Sequence, residues 1–152
     1  MDFLWDPYNK KELFEFLPLK VAQFMVPQGK SIYITAGESV VSVNDLHPMP
    51  HCNHEEADTR MVAHIQHALQ HGLQTVQVRT VDTDDIAILV GVFQDLATVQ
   101  PSIDICLAFG MGKHHQFFSV NTMYKYLGKA RTRSLPVFHA LSGSDTTSAF
   151  NG

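Results

Sequence analysis

The stretch QTVQVRTVDTDDIAILVGVFQDL, from Gln74 to Leu96, decides how the chain is read. Gln74 to Val81 is rich in β-branched residues and sets Val76 and Val78 on one face, which predicts a strand. Asp84 to Leu96 carries Ile86, Leu89, Phe93 and Leu96 at helical spacing and predicts a helix, although its β-branched start would also suit a strand. Between the two, Asp82-Thr83-Asp84-Asp85 gathers three carboxylates at the junction. A strand that hands over to a helix in this way is the opening of an α/β unit.

The flanks extend the pattern. Towards the N-terminus, Asn53 reads as an N-cap and Glu56, three residues on, completes a capping box. Met61, Val62, Ile65, Ala68 and Leu69 then recur at helical spacing until Gly72 stops the helix. Towards the C-terminus, Ile103, Ile105 and Leu107 alternate with Asp104, Cys106 and Ala108, which predicts a strand. Gly110-Met111-Gly112-Lys113 turns that strand towards a partner at Gln116 to Val120. Two short helices follow, near Thr122 to Leu127 and Ser134 to Leu141, the second closed by Gly143. Helix, strand, helix, strand predicts an α/β fold with a mostly parallel central sheet over residues 53–152. Residues 1–52 read as a separate N-terminal segment. It has a short helical stretch at Glu12 to Phe16 that Pro18 interrupts, a loop at Val26 to Gly29, a β-hairpin from Ser31 to Val43, and a proline-containing linker.

Composition bounds the function. The chain has 152 residues, 45% of them apolar and 17% charged, which suits a globular domain and excludes a disordered one. Its longest uncharged apolar run, Ile86 to Phe93, is far short of the roughly 20 residues a membrane span needs. Asp2 and Asp6 follow Met1, so no basic-then-apolar signal peptide is expected to open the chain. The two cysteines, Cys52 and Cys106, are too far apart to suggest a disulfide framework. Together these features predict an intracellular protein, nuclear or cytoplasmic, that does not enter a membrane. The net charge of −4 argues against binding nucleic acid by bulk charge. From Ile105 to Ser144, however, there is no acid, while Lys113, Lys125, Lys129, Arg131 and Arg133 are present with His114, His115 and His139. A basic segment beside an acidic middle suits a protein that holds a polyanion next to a metal, with a solvated basic face as the simpler account.

The carboxylates fall in three groups: Glu55-Glu56-Ala57-Asp58, Asp82 to Asp85, and Asp145. The middle group lies where a strand ends, and open α/β sheets gather their sites outside the carboxyl ends of strands. Such a cluster repels itself unless solvent or a cation relieves it, and hard cations such as Mg²⁺ or Mn²⁺ take oxygen ligands. The same residues could equally cap the following helix. Asp58 falls at the centre of the stripe of Val62, Ile65 and Leu69, so it needs a partner. Glu55 lies nearly on that side, whereas Glu56 points away unless it serves the first turn. Asp145, taken alone, reads as the N-cap of a final helix.

Taken in order, His54-Glu55-Glu56-Ala57-Asp58-Thr59-Arg60, Val81-Asp82-Thr83-Asp84 and His139-Ala140-Leu141-Ser142-Gly143-Ser144-Asp145 resemble the PIN-like, flap-endonuclease-like nucleases. They are similar in particular to uncharacterised animal proteins of that superfamily that spread with mobile elements. Glu56-Ala57-Asp58 matches the family's acid-Ala-acid motif at a helix start. Asp82-Thr83-Asp84 matches the acid-x-acid motif after the next strand, and Leu141-Ser142-Gly143-Ser144-Asp145 matches Leu-x-Gly-x-Asp. The resemblance covers about residues 53–152. It implies a three-layer PIN-like domain, incomplete at both ends, that hydrolyses phosphodiesters in DNA or RNA. It implies that Glu56, Asp58, Asp82, Asp84 and Asp145 hold one or two Mg²⁺ or Mn²⁺ ions, with Lys113, Lys125, Lys129, Arg131 and Arg133 on the nucleic-acid backbone. The family's early-strand Asp has no match before Asn53, so weak or absent activity is expected, and a non-catalytic module binding nucleic acid or protein is the competing expectation. Two histidine groups are set aside. His47, His51, Cys52 and His54 match no zinc-finger spacing, and His64, His67 and His71 read as a solvated stripe on the outer helix face.

Overall fold

A computed structural model describes residues 5–24, 29–44, 47–49 and 57–143. The chain divides into two compact units, Met1–Arg60 and Met61–Gly152.

In the first unit, α1 (Pro7–Phe24) opens with the Tyr8 amide donating to the Asp6 carboxylate at 2.8 Å. The helix runs straight through Pro18, correcting the expectation of a short stretch that the proline interrupts. An internal proline forfeits one helical hydrogen bond and costs about 3 kcal/mol in an exposed helix. Pro18 is buried, and packing of its ring offsets that loss. Strands β1 (Ile32–Ala36) and β2 (Ser39–Val43) form the expected antiparallel hairpin, with Ile32 opposite Val43 and Ala36 opposite Ser39. Gly37 takes φ +61° at the first turn position, where a two-residue hairpin turn favours glycine. At the open end, Ser31 Oγ donates to the Asn44 carbonyl at 2.8 Å and Asn44 Nδ2 donates to the Lys30 carbonyl at 3.0 Å.

Helix α2 (Ala57–Gln70) carries the chain into the second unit, where Ile65 and Leu69 enter the core. The expected capping box at Asn53 and Glu56 lies outside the described residues. On α2, His67 is 8% exposed and its ring lies 4.4 Å from that of His71, so the histidine stripe is not wholly solvated as expected.

Strand β3 (Thr75–Thr80) pairs in parallel with β4 (Asp104–Phe109), and α3 (Thr83–Val99) makes the crossover. The α/β reading holds at this level. The sheet is mixed rather than mostly parallel, because β5 (Gln116–Ser119) returns antiparallel on the far side of β4. A parallel return needs a crossover of a dozen or more residues, and the turn from Gly110 to His115 is far too short for one.

The core forms around the central strand. Leu89 of α3, Ile105 and Leu107 of β4, and Val120 are fully buried. Val120 opens α4 (Val120–Leu127), which Ser119 caps by accepting from the Thr122 amide at 3.2 Å. Asn121 then accepts from the Ile105 amide at 3.0 Å and donates to the Ile103 carbonyl at 2.7 Å. Its amide side chain completes the β4 ladder where β5 has ended. Gly128, at φ +77°, separates α4 from α5 (Lys129–Gly143). Helix α5 starts earlier than the Ser134 its apolar residues suggest, and its first turns bury Thr132, whose hydroxyl donates to the carbonyls of Gly128 and Lys129.

Helices α3 and α5 meet at Gly91. A Cβ built there would lie 2.4 Å from Pro136 Cγ, so only glycine permits this approach. One turn further along α3, Asp95 lies 3.8 Å from the Arg133 guanidinium. Gly91 also faces the Thr132 carbonyl, 3.4 Å from that Cβ position, so the middle of α3 lies against the Thr132–Pro136 turn of α5.

Candidate functional site at the carboxyl edge of the parallel strands

Because β3 and β4 run in parallel and in register, Thr80 and Phe109 end side by side. The Gly110 amide donates to the Thr80 carbonyl at 3.0 Å and ties the exit of β4 to the exit of β3. Directly beyond lies the acidic junction.

Its geometry follows from the residue types. Asp82 is extended, at φ −98° and ψ 134°, and caps α3 by accepting from the Asp84 amide at 3.0 Å. The Thr80 hydroxyl accepts from the Asp82 amide at 2.9 Å and donates to the Asp85 carboxylate. One threonine thus serves both sides of the junction, consistent with the local bonding of hydroxyl side chains at turns. Asp84 and Asp85 occupy the first turn of α3, where the helix dipole favours negative charge. Asp82 is exposed, and Asp84 and Asp85 are half-buried. A cap of this kind contributes about 1 kcal/mol to helix stability. The structure therefore gives Asp82 and Asp85 definite local bonding duties.

Of the expected site residues, Asp82 and Asp84 stand together at this edge. Asp58 is half-buried in the first turn of α2 and belongs to the first unit. Glu56 and Asp145 lie outside the described residues. Among the described residues, no three His, Cys, Asp or Glu side chains are gathered as a metal ion would require.

The cations are divided, although they are consecutive in sequence. Lys113 is exposed in a single 3-10 turn, Gly112–His114, that leaves β4 at the acidic edge. Lys125 is exposed in the last turn of α4. Lys129, Arg131 and Arg133 are exposed on the first half of α5. Arg133 meets Asp95, which is about 16 Å of helix away from Asp84. Arg133 is thus engaged by Asp95 on α3, whereas Lys113 leaves β4 at the acidic edge.

Sequence reasoning missed Thr80, whose hydroxyl organises the junction. The signal was present, since a threonine two residues before an aspartate at a strand end is a turn signature. His114, one of the histidines of the acid-free segment, is exposed beside Lys113 in the same turn.

No protein-family model, curated protein or solved structure matches this chain. Among the described residues, no helix is long and apolar enough to cross a membrane.

Proposed function

We propose that this chain is a three-layer, PIN-like, flap-endonuclease-like domain for divalent-metal-dependent hydrolysis of phosphodiesters in DNA or RNA. The observation that carries this reading is the position of Asp82 and Asp84, side by side at the carboxyl edge of the parallel strand pair. The donor chemistry fits Mg²⁺ or Mn²⁺, which take carboxylate oxygens. Asp82 commits Oδ1 to its cap, and Asp84 adds a second carboxylate at the same helix start. Glu56, Asp58 and Asp145 complete the proposed ligand set. A bound metal would activate water and stabilise the leaving oxygen. The capping duties of Asp82 and Asp85 favour a second reading, in which the acids are structural and the domain binds nucleic acid or a protein without cleaving anything.

Asp82→Asn/Asp84→Asn separates the two readings. Asparagine caps a helix as well as aspartate does, so the double variant keeps the junction and loses the carboxylate charge. With millimolar Mn²⁺, the wild-type melting temperature should rise by a few degrees, because a ligand of the folded state stabilises by about 2.7 kcal/mol at 100 times its Kd. The double variant should lose that rise, along with any cleavage of labelled single-stranded, flap or hairpin DNA or of RNA. A wild-type melting curve that ignores Mg²⁺ and Mn²⁺ would leave the binding-module reading in place.

A further inference from the structure

The three-stranded sheet is open along β3, which is an edge strand in the order β3-β4-β5. The Asp104 amide donates to the Gln74 carbonyl at 2.8 Å, and the Gly110 amide donates to the Thr80 carbonyl at 3.0 Å. Alternate residues of a parallel strand bond to the same neighbour, so Gln74, Val76, Val78 and Thr80 turn their amides and carbonyls towards β4. Thr75, Gln77 and Arg79 turn theirs the other way, and among the described residues no strand takes them up. All three are exposed, while Val76 is half-buried and Val78 is buried on the core face. Little blunts this edge: β3 holds its register with β4 from Thr75 to Thr80 without a proline or a bulge. Arg79 and Asp104 are exposed on the outer face, and among the described residues neither has an ion-pair partner. They cannot serve each other within one chain. Asp104 lies opposite Thr75 and Arg79 opposite Ala108, which sets their Cα atoms about 14 Å apart.

We infer that β3 pairs with the β3 of a second copy of this chain, antiparallel about a two-fold axis at Gln77, joining the two sheets edge to edge. This register uses every outward residue of the strand: Gln77 faces its own copy, and Thr75 of each chain faces Arg79 of the other. On the core face Val76 meets Val78, which extends the apolar surface across the junction. On the outer face Arg79 of one copy stands beside Thr75 of the other, and the next residue in that row is Asp104. The two charged residues are then two strand spacings apart, about 10 Å between Cα atoms, within reach of an extended arginine side chain. The symmetry forms this pair twice. Sliding one strand by four residues would instead set Arg79 against Arg79, a like-charge pair that is unfavourable. The axis also sends the two acidic junctions to opposite ends of the joined sheet, so the pairing stands whether or not the acids hold a metal.

The test is the oligomeric state of the full chain, read by sedimentation equilibrium from about 1 to 500 µM, since an edge-to-edge contact falls at the weak end of protein interfaces. The wild type should pass from monomer towards dimer within that range. Gln77→Pro removes an amide that points away from β4, so it spares the ladder within the chain and should weaken the dimer about tenfold or more. Arg79→Glu should weaken it several-fold, and Arg79→Glu/Asp104→Arg should restore it, a rescue that misfolding would not produce. Mild oxidation reads the register. Gln77→Cys should give a disulfide-linked dimer, because directly paired Cα atoms lie about 5.5 Å apart. Arg79→Cys should stay at the wild-type level, because the two copies of that position lie about 14 Å apart. A wild-type chain that remains monomeric at the highest concentration overturns the inference and leaves the edge to an extended peptide of another protein. A dimer that ignores both Gln77→Pro and the charge exchange, or that cross-links no better through Gln77→Cys than through Arg79→Cys, overturns it by placing the contact elsewhere.

Discussion

The two units use similar building materials to different ends. In the second, α3 and β4 enclose Leu89, Ile105, Leu107 and Val120 completely. In the first, Trp5, Tyr8, Phe14, Phe16 and Phe24 are all more than half exposed, and the helix and hairpin leave a groove of about 580 Å³ lined by Phe14, Leu17, Pro18, Val21 and Ile34. Helix α3 is the more apolar of the two long helices, and its apolar residues are also better arranged. Ile86, Leu89, Phe93 and Leu96 recur on one side of α3, so a single sheet face can cover them. Phe14, Phe16, Leu17 and Leu19 spread around α1, and a two-stranded hairpin can cover only part of that circumference. The comparison teaches that hydrophobicity and its periodicity together decide which half of this chain gains a core.

The largest expected effect tests that contrast directly. Leu89→Ala should cost about 3 kcal/mol in urea unfolding, since it empties a fully buried site. Phe14→Ala, at a side chain 64% exposed, should stay within about 0.5 kcal/mol. Comparable losses at the two positions would break the comparison. Next comes Gly91→Ala. The added methyl group would run into the Pro136 ring, and separating α3 from α5 should cost about 1–2 kcal/mol despite alanine's better helix propensity. A stabilised variant would show that α5 is held loosely and that the second unit's order ends at the sheet. The smallest effect sharpens the account of the acidic edge. Asp82→Ala should lose about 1 kcal/mol and Asp82→Asn only a few tenths, because both aspartate and asparagine can accept from the Asp84 amide. Equal losses would mean that charge, rather than the cap, is what the junction uses.

How much of this was legible in the sequence varied with the range of the interaction. The strands β3, β4 and β5 and the helix α3 are written in local alternation and helical spacing. The direction of β5 was legible only in the short turn at Gly110 to Lys113, whose length forbids the crossover that a mostly parallel sheet would need. The passage of α1 through Pro18 was hidden because the penalty is local and the compensating burial is tertiary. The early start of α5 was hidden because Thr132 is held by hydroxyl bonds to its own backbone and not by an apolar stripe. At the candidate site, the placement of Asp82 and Asp84 could be read from the strand-to-helix junction. The division of the cations could not. Lys113 and Arg133 belong to one acid-free run of sequence, yet Lys113 leaves β4 at the sheet edge while Arg133 pairs with Asp95 on α3.

The Asn121 side chain has a consequence for how this sheet meets other chains. A strand pairs with a stranger through unsatisfied amides and carbonyls at its margin. Beyond the last residue of β5, the Ile105 amide and Ile103 carbonyl would offer such a pair, and Asn121 occupies both. One carboxamide, presented by a helix and not by a strand, thereby acts as a bolt on the most buried strand of the fold. On that side it closes β4 to invasion by another polypeptide at the cost of a single residue.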